Sequence, residues 1–92
     1  MENAPTFVNI PQGAWTLVAN AIQSGTIHIK TPGRYMHTWR KDGQSAPTSG
    51  DDALGVPFEG FSAVIAADED IDVYVWFWGI PNVSTGRVMV SY

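Results

Sequence analysis

The sequence predicts an all-β domain, a small antiparallel β-sandwich or jelly-roll barrel of about six or seven strands behind an extended N-terminal arm. Three observations predict it. Nine glycines and six prolines are spread along 92 residues, leaving few windows of helical length. Where apolar residues recur, they do so with period two, the strand period. β-Branched and aromatic residues are frequent, and these suit a pleated surface.

Residues 1–13 hold Pro5, Pro11 and Gly13 and read as the arm, with Phe7, Val8 and Ile10 supplying one short strand. Pro11 restricts this segment to a sheet edge or to a non-strand stretch, because it lacks an N–H for a second neighbour. Residues 14–92 read as one domain. Its first strand is Ala14-Trp15-Thr16-Leu17-Val18-Ala19. The next is Thr26–Thr31, with Ile27 and Ile29 on one face and Thr26, His28 and Lys30 on the other. Pro32-Gly33 is a tight-turn pair: Pro presets φ and Gly accepts φ > 0. Arg34–Arg40 follows, with Tyr35, His37 and Trp39 on one face. A hairpin about that turn sets His28 opposite His37. Paired imidazoles suit a pH response or a transition metal. No third ligand accompanies them, so packing or solvent exposure is the plainer expectation.

Lys41–Glu59 is polar and turn-rich and reads as a long loop, a class that is often functional. Strands resume at Phe61–Ala66. Asp68-Glu69-Asp70 reads as an acidic turn into the strand Ile71–Trp78. Ile80–Gly86 connects to a last strand, Arg87–Tyr92.

The strand 71–78 is the most informative. Ile71, Val73, Val75 and Phe77 make one face wholly apolar, while Asp72, Tyr74, Trp76 and Trp78 make the other. A half-exposed strand carries polar residues on its outer face. Three aromatics there imply a strand buried on both faces, a subunit or partner interface, or a sugar-stacking platform. Trp and Tyr are enriched at interface cores. The residues expected to meet a partner are therefore Tyr74, Trp76 and Trp78, with Phe7, Val8 and Ile10 of the arm.

Several function classes are disfavoured. Asp68, Asp70 and Asp72 have the alternate spacing of a calcium loop. That loop needs Gly at its sixth position and Glu at its twelfth, where Val73 and Gly79 stand. A solvated acidic turn is the expectation, and no metal or cofactor site is read. There is no cysteine, no Gly-x-Ser-x-Gly elbow and no phosphate loop, so no catalytic residue is assigned and an enzyme is not expected. A formal net charge of −4 argues against a nucleic-acid or anionic-membrane partner. No transmembrane run or secretory signal is evident. Only 15% of residues are charged, against roughly 25% in average domains, and 12% are aromatic. A chain of this length buries only roughly 60–65% of its unfolded surface, so burial between subunits is a natural source of added stability.

In order, the chain has an aromatic strand, Trp15-Thr16-Leu17-Val18, then Gly25-Thr26-Ile27-His28-Ile29, then a loop with Ala46-Pro47-Thr48 and Asp51-Asp52. Gly60-Phe61, an acidic turn into Asp70–Trp76, and Gly86-Arg87-Val88-Met89-Val90 complete it. This succession over residues 14–92 resembles that of small bacteriophage virion proteins. The resemblance implies a capsid decoration (cement) protein or a head- or tail-fibre component. It further implies a homo-oligomer, made in the host cytoplasm and placed on the capsid surface, with the major capsid or another virion protein as partner. The function expected is stabilisation of the shell by apolar and aromatic contact. The alternative is a carbohydrate- or receptor-binding module of a fibre or tail, with Trp76, Trp78, Tyr74 or Trp39 stacking on sugars and Asp72 or Asp70 as acceptors.

Overall fold

A computed structural model of the chain describes residues 6–41, 43, 45, 47, 55–58 and 60–91. The chain is all-β. Its strands are β1 (Thr6–Pro11), β2 (Thr16–Ile29), β3 (Tyr35–Lys41), β4 (Val56–Pro57), β5 (Ser62–Phe77) and β6 (Thr85–Ser91). They form one antiparallel sheet in the order β1-β6-β2-β5-β3-β4.

The sheet curls over on itself. Neighbouring strands lie about 4.8 Å apart, so strands three places apart in a flat sheet stand about 14 Å apart. β1 and β5 are three places apart, yet Gln12, just past β1, bridges Phe77 at the end of β5. The Gly13 N–H donates to the Phe77 carbonyl at 3.1 Å. Tyr35 of β3 likewise reaches β6: its hydroxyl accepts from the Arg87 N–H at 3.2 Å and donates to the Thr31 carbonyl at 2.8 Å. The curl leaves the sheet unclosed, since β4 and β1 remain its edges.

Two long strands make the curl possible. β2 has 14 residues and β5 has 16, and their pairing shifts register three times between Leu17 and Ser24. Such bulges bend a ladder and sharpen its twist. On one side of the bend, β2 pairs Thr16–Ile22 with the end of β5, which β3 flanks. On the other, β2 pairs Ser24–His28 with the start of β5, and Thr26–Ile29 with β6. The two halves share one core. Ile10, Ile27, Ile65, Val88 and Val90 pack with Val18, Ile22, Tyr35, Val73, Val75 and Phe77.

A buried carboxylate holds the bend. Asp72 is 5% exposed. Its Oδ1 accepts from the Asn20 side-chain amide and from the Ala21 backbone N–H, both at 2.9 Å. Ala21 sits at φ 54°, a left-handed conformation found in some bulges that alanine adopts at a cost.

Several expectations change. The two strands read at 14–19 and 26–31 are parts of one, β2, because bulges rather than a turn separate them. Asp68-Glu69-Asp70 is no turn but the exposed middle of β5. Asp72 leaves that cluster for the interior. Pro32-Gly33 does not make a hairpin, since β5 lies between β2 and β3. The chain instead passes from one sheet half to the other there, and Gly33 lets the backbone approach where a β-carbon would meet the Phe77 ring. His28 therefore faces Ser62 and Met89, His37 faces Val75 and Val56, and no histidine pair forms. The segment read as an arm is paired with β6 from Thr6 to Pro11 and, as Pro11 suggests, lies at an edge. Within the loop read at 41–59, Val56-Pro57 is a short strand beside Met36 and His37. Ala46, Thr48, Asp51 and Asp52 lie outside the described residues.

A candidate docking groove

The six residues expected to meet a partner do not share one surface. Ile10 is fully buried in the core, a correction that follows from β1 joining the sheet. Val8 is half-buried and packs against the same core. Phe7 is half exposed, with the Arg87 guanidinium 4.3 Å over its ring. Tyr74 is 7% exposed, so it offers little area to a partner. Trp76 is half-buried edge-on to Trp15, with ring centroids 5.5 Å apart. Trp78 lies under the Arg34 guanidinium, 4.3 Å from its ring.

The aromatic face of β5 is largely covered by its own chain. Met36, Thr38, Asp72 and Tyr74 are all buried yet stand outside the main core cluster. They form cross-strand neighbours on one face: Met36 beside Trp76, Thr38 beside Tyr74, Arg40 beside Asp72. Gly55 packs so tightly on this face that a β-carbon would run into the Met36 side chain and meet Trp15. At Tyr74, β5 is thus a central strand buried on both faces.

The open apolar surface lies elsewhere. A cavity of about 390 Å³ opens where β3 ends and the first half of β5 continues without it. His37 and Trp39 of β3, Val56 of β4, and Val64, Ile65 and Ile71 of β5 give it apolar walls. Asp68 and Glu69 stand at its rim. Trp39 and Val56 are each 54% exposed and Val64 is 76% exposed. Lys41 meets Glu69 at 3.6 Å, a surface pair of small energetic weight. The volume falls within the roughly 300–1,000 Å³ of ordinary ligand pockets. Among the described residues no group of three His, Asp or Glu is placed to hold a metal ion, and no helix is long and apolar enough to cross a membrane.

No protein-family model, curated protein or solved structure matches this chain. The groove must speak through its own chemistry, which is that of an apolar, acid-rimmed docking cleft. Beside Asp68 and Glu69, the cavity is lined by His37, packed edge-on to Phe58 at 5.1 Å. Burial holds the His37 imidazole below the ordinary value of 6.5. Protons therefore bind the unfolded chain more readily at this position. Its contribution to stability is whole above about pH 6.5 and declines as pH falls through the lower folded value. His37→Gln is expected to flatten that part of the stability curve in urea unfolding between about pH 7.5 and 5. An unchanged slope would show that the imidazole is equally hydrated in both states.

Sequence reading passed over this groove. A signal was present: Phe61–Ala66 carries no charge on either face, so Val64 has no polar alternative to an exposed apolar position. Trp39 enters the sequence reading as a sugar-stacking ring, with nothing local to set it beside Val56 and Val64.

Proposed function

We propose that this chain is a structural protein of a bacteriophage virion, a decoration protein that docks on the capsid shell and stabilises it by apolar contact. The observation that carries the proposal is the gathering of Trp39, Val56 and Val64, all more than half exposed, at one open seam of the sheet. Exposed apolar clusters rimmed by charge mark binding sites on soluble domains. Covering the exposed part of each such side chain contributes about 1–2 kcal/mol before the cost of association is subtracted. One site alone is weak, and a shell that presents many of them multiplies the effect. The virion-like order of motifs in residues 14–92 supports the setting.

A carbohydrate- or receptor-binding role is the second reading. It is favoured by the half-exposed Trp39 ring with Asp68 and Glu69 in the same cavity. Co-sedimentation with a panel of phage heads stripped of accessory proteins, run beside a glycan array, separates the two. Saturable binding to heads, with a rise in their disruption temperature, is expected. Glycan binding lost in Trp39→Ala, with no binding to any head, would sink the decoration reading.

A further inference from the structure

β5 has two neighbours over Ile71–Val75, namely β2 and β3. Over Ser62–Ala66 it has only β2 among the described residues, because β3 stops at Lys41, opposite Ile71. The direction of the unused peptide groups can be worked out. The Ile29 N–H donates to the Phe61 carbonyl at 2.8 Å. That pair continues the register of Ile27 with Ala63 and Gly25 with Ile65. In an antiparallel ladder bonded pairs alternate with non-bonded ones. Phe61, Ala63 and Ile65 therefore bond towards β2. Ser62, Val64 and Ala66 turn their N–H and C=O groups the other way, towards the groove side.

Natural sheets guard such edges with charge, proline or bulges. Residues 60–67 contain none of the first two, and Phe61 and Val64 are 75% and 76% exposed. Just beyond, Asp68 and Glu69 place two carboxylates at the groove rim.

We propose that this edge takes an extended segment of a partner chain, which adds as a strand along Ser62–Ala66. Its alternate side chains are apolar and pack on Val64, Trp39 and Val56, and a lysine or arginine meets Asp68, beside the Lys41–Glu69 pair. Strand addition supplies main-chain hydrogen bonds for affinity and alternate side-chain pockets for specificity. Charge selects the partner. A second copy of a chain with net charge −4 brings more carboxylate to an acidic rim, whereas a basic segment is complementary. The inference deepens the docking role proposed above and rests on it.

The probe is a capped, fluorescent seven-residue peptide of alternating valine and threonine ending in lysine, followed by anisotropy. The wild-type chain is expected to bind it. Val64→Pro, which deletes an outward N–H, should weaken binding about tenfold or more. Asp68→Asn with Glu69→Gln should weaken it severalfold and reduce its dependence on salt, as should a glutamate in place of the peptide's lysine. Two further peptides, N-methylated on the valine or on the threonine nitrogens, test the same point with the protein unaltered. One of the two should lose binding and the other keep it. Equal binding by both, unchanged binding by Val64→Pro, or no binding by the wild type overturns the inference. So does a wild-type dimer in sedimentation that Val64→Pro dissolves, since the edge would then belong to a second copy. Head binding retained by Val64→Pro overturns the strand-addition site and leaves the decoration role standing. Peptide binding without head binding does the reverse.

Discussion

Phe77→Ala is expected to lower folding stability by about 3–5 kcal/mol, the range for truncating a fully buried aromatic ring. A domain of this length holds only about 5–14 kcal/mol in total, so the variant should lose a large share of its stability. The position explains the size of the effect. Phe77 is 0% exposed, and its ring stacks on Tyr35 with centroids 4.7 Å apart. Gly33 presses on it from the connection between β2 and β3. Its carbonyl takes the Gly13 N–H, which ties the end of β1 to the end of β5. Truncation therefore opens a cavity at the point where the two sheet halves are joined. Phe77→Leu refills most of that volume and should lose far less, about 1–1.5 kcal/mol. Urea unfolding followed by tryptophan fluorescence measures both. A loss below about 1 kcal/mol for the alanine variant would show that the curled sheet does not depend on this ring.

Asp72→Ala should lower the melting temperature by about 10–20 °C, equivalent to about 2–3 kcal/mol in a domain of this size. The carboxylate is buried and its Oδ1 accepts two hydrogen bonds. Alanine leaves the Ala21 N–H without its partner at the bulge, and an orphaned donor costs more than the bond itself contributes. Asp72→Asn keeps one acceptor oxygen and should recover about half of the loss. Ala21→Gly relieves the left-handed backbone and should raise stability by up to about 1 kcal/mol in wild type. In the Asp72→Ala background that gain should shrink, because the bulge no longer has its second tether. Additive effects in this double-mutant cycle would separate the carboxylate from the bulge.

Fold class was legible because it depends on local pattern. The period-two face Ile71, Val73, Val75 and Phe77 is the core face of β5, and Pro11 does mark an edge strand. Strand boundaries and partners were not legible, because bulges leave no periodic trace. Nothing local in Ala19-Asn20-Ala21-Ile22 distinguishes a kink held by a distant aspartate from the end of a strand. The same gap misplaced the charged residues. Asp72 looks like its exposed neighbours Asp68 and Asp70 until Asn20 and Ala21 are brought to it from fifty residues away. The aromatic face of β5 was found correctly, yet its exposure was decided by Met36 and Gly55, which the sequence places on other elements. The groove escaped for a related reason: Trp39 and Val64 become neighbours of one cavity only when β3 stops short of the start of β5.

The pairing of β1 with β6 has a consequence for synthesis. β1 precedes every other described strand, and its sheet partner is the last of them. During translation, at roughly 5–20 residues per second, β1 must wait several seconds for the residues it will bond. β2 waits a shorter time for β5, whose paired residues follow it between Thr16↔Val75 and His28↔Ser62. Sheets built from such distant pairings then close in about milliseconds to seconds. The nascent chain thus emerges with Val8 and Ile10 uncovered until β6 follows. A ribosome stalled before Arg87 would hold a chain that protease still cuts freely, while release of the final strand would make protection appear in a single step.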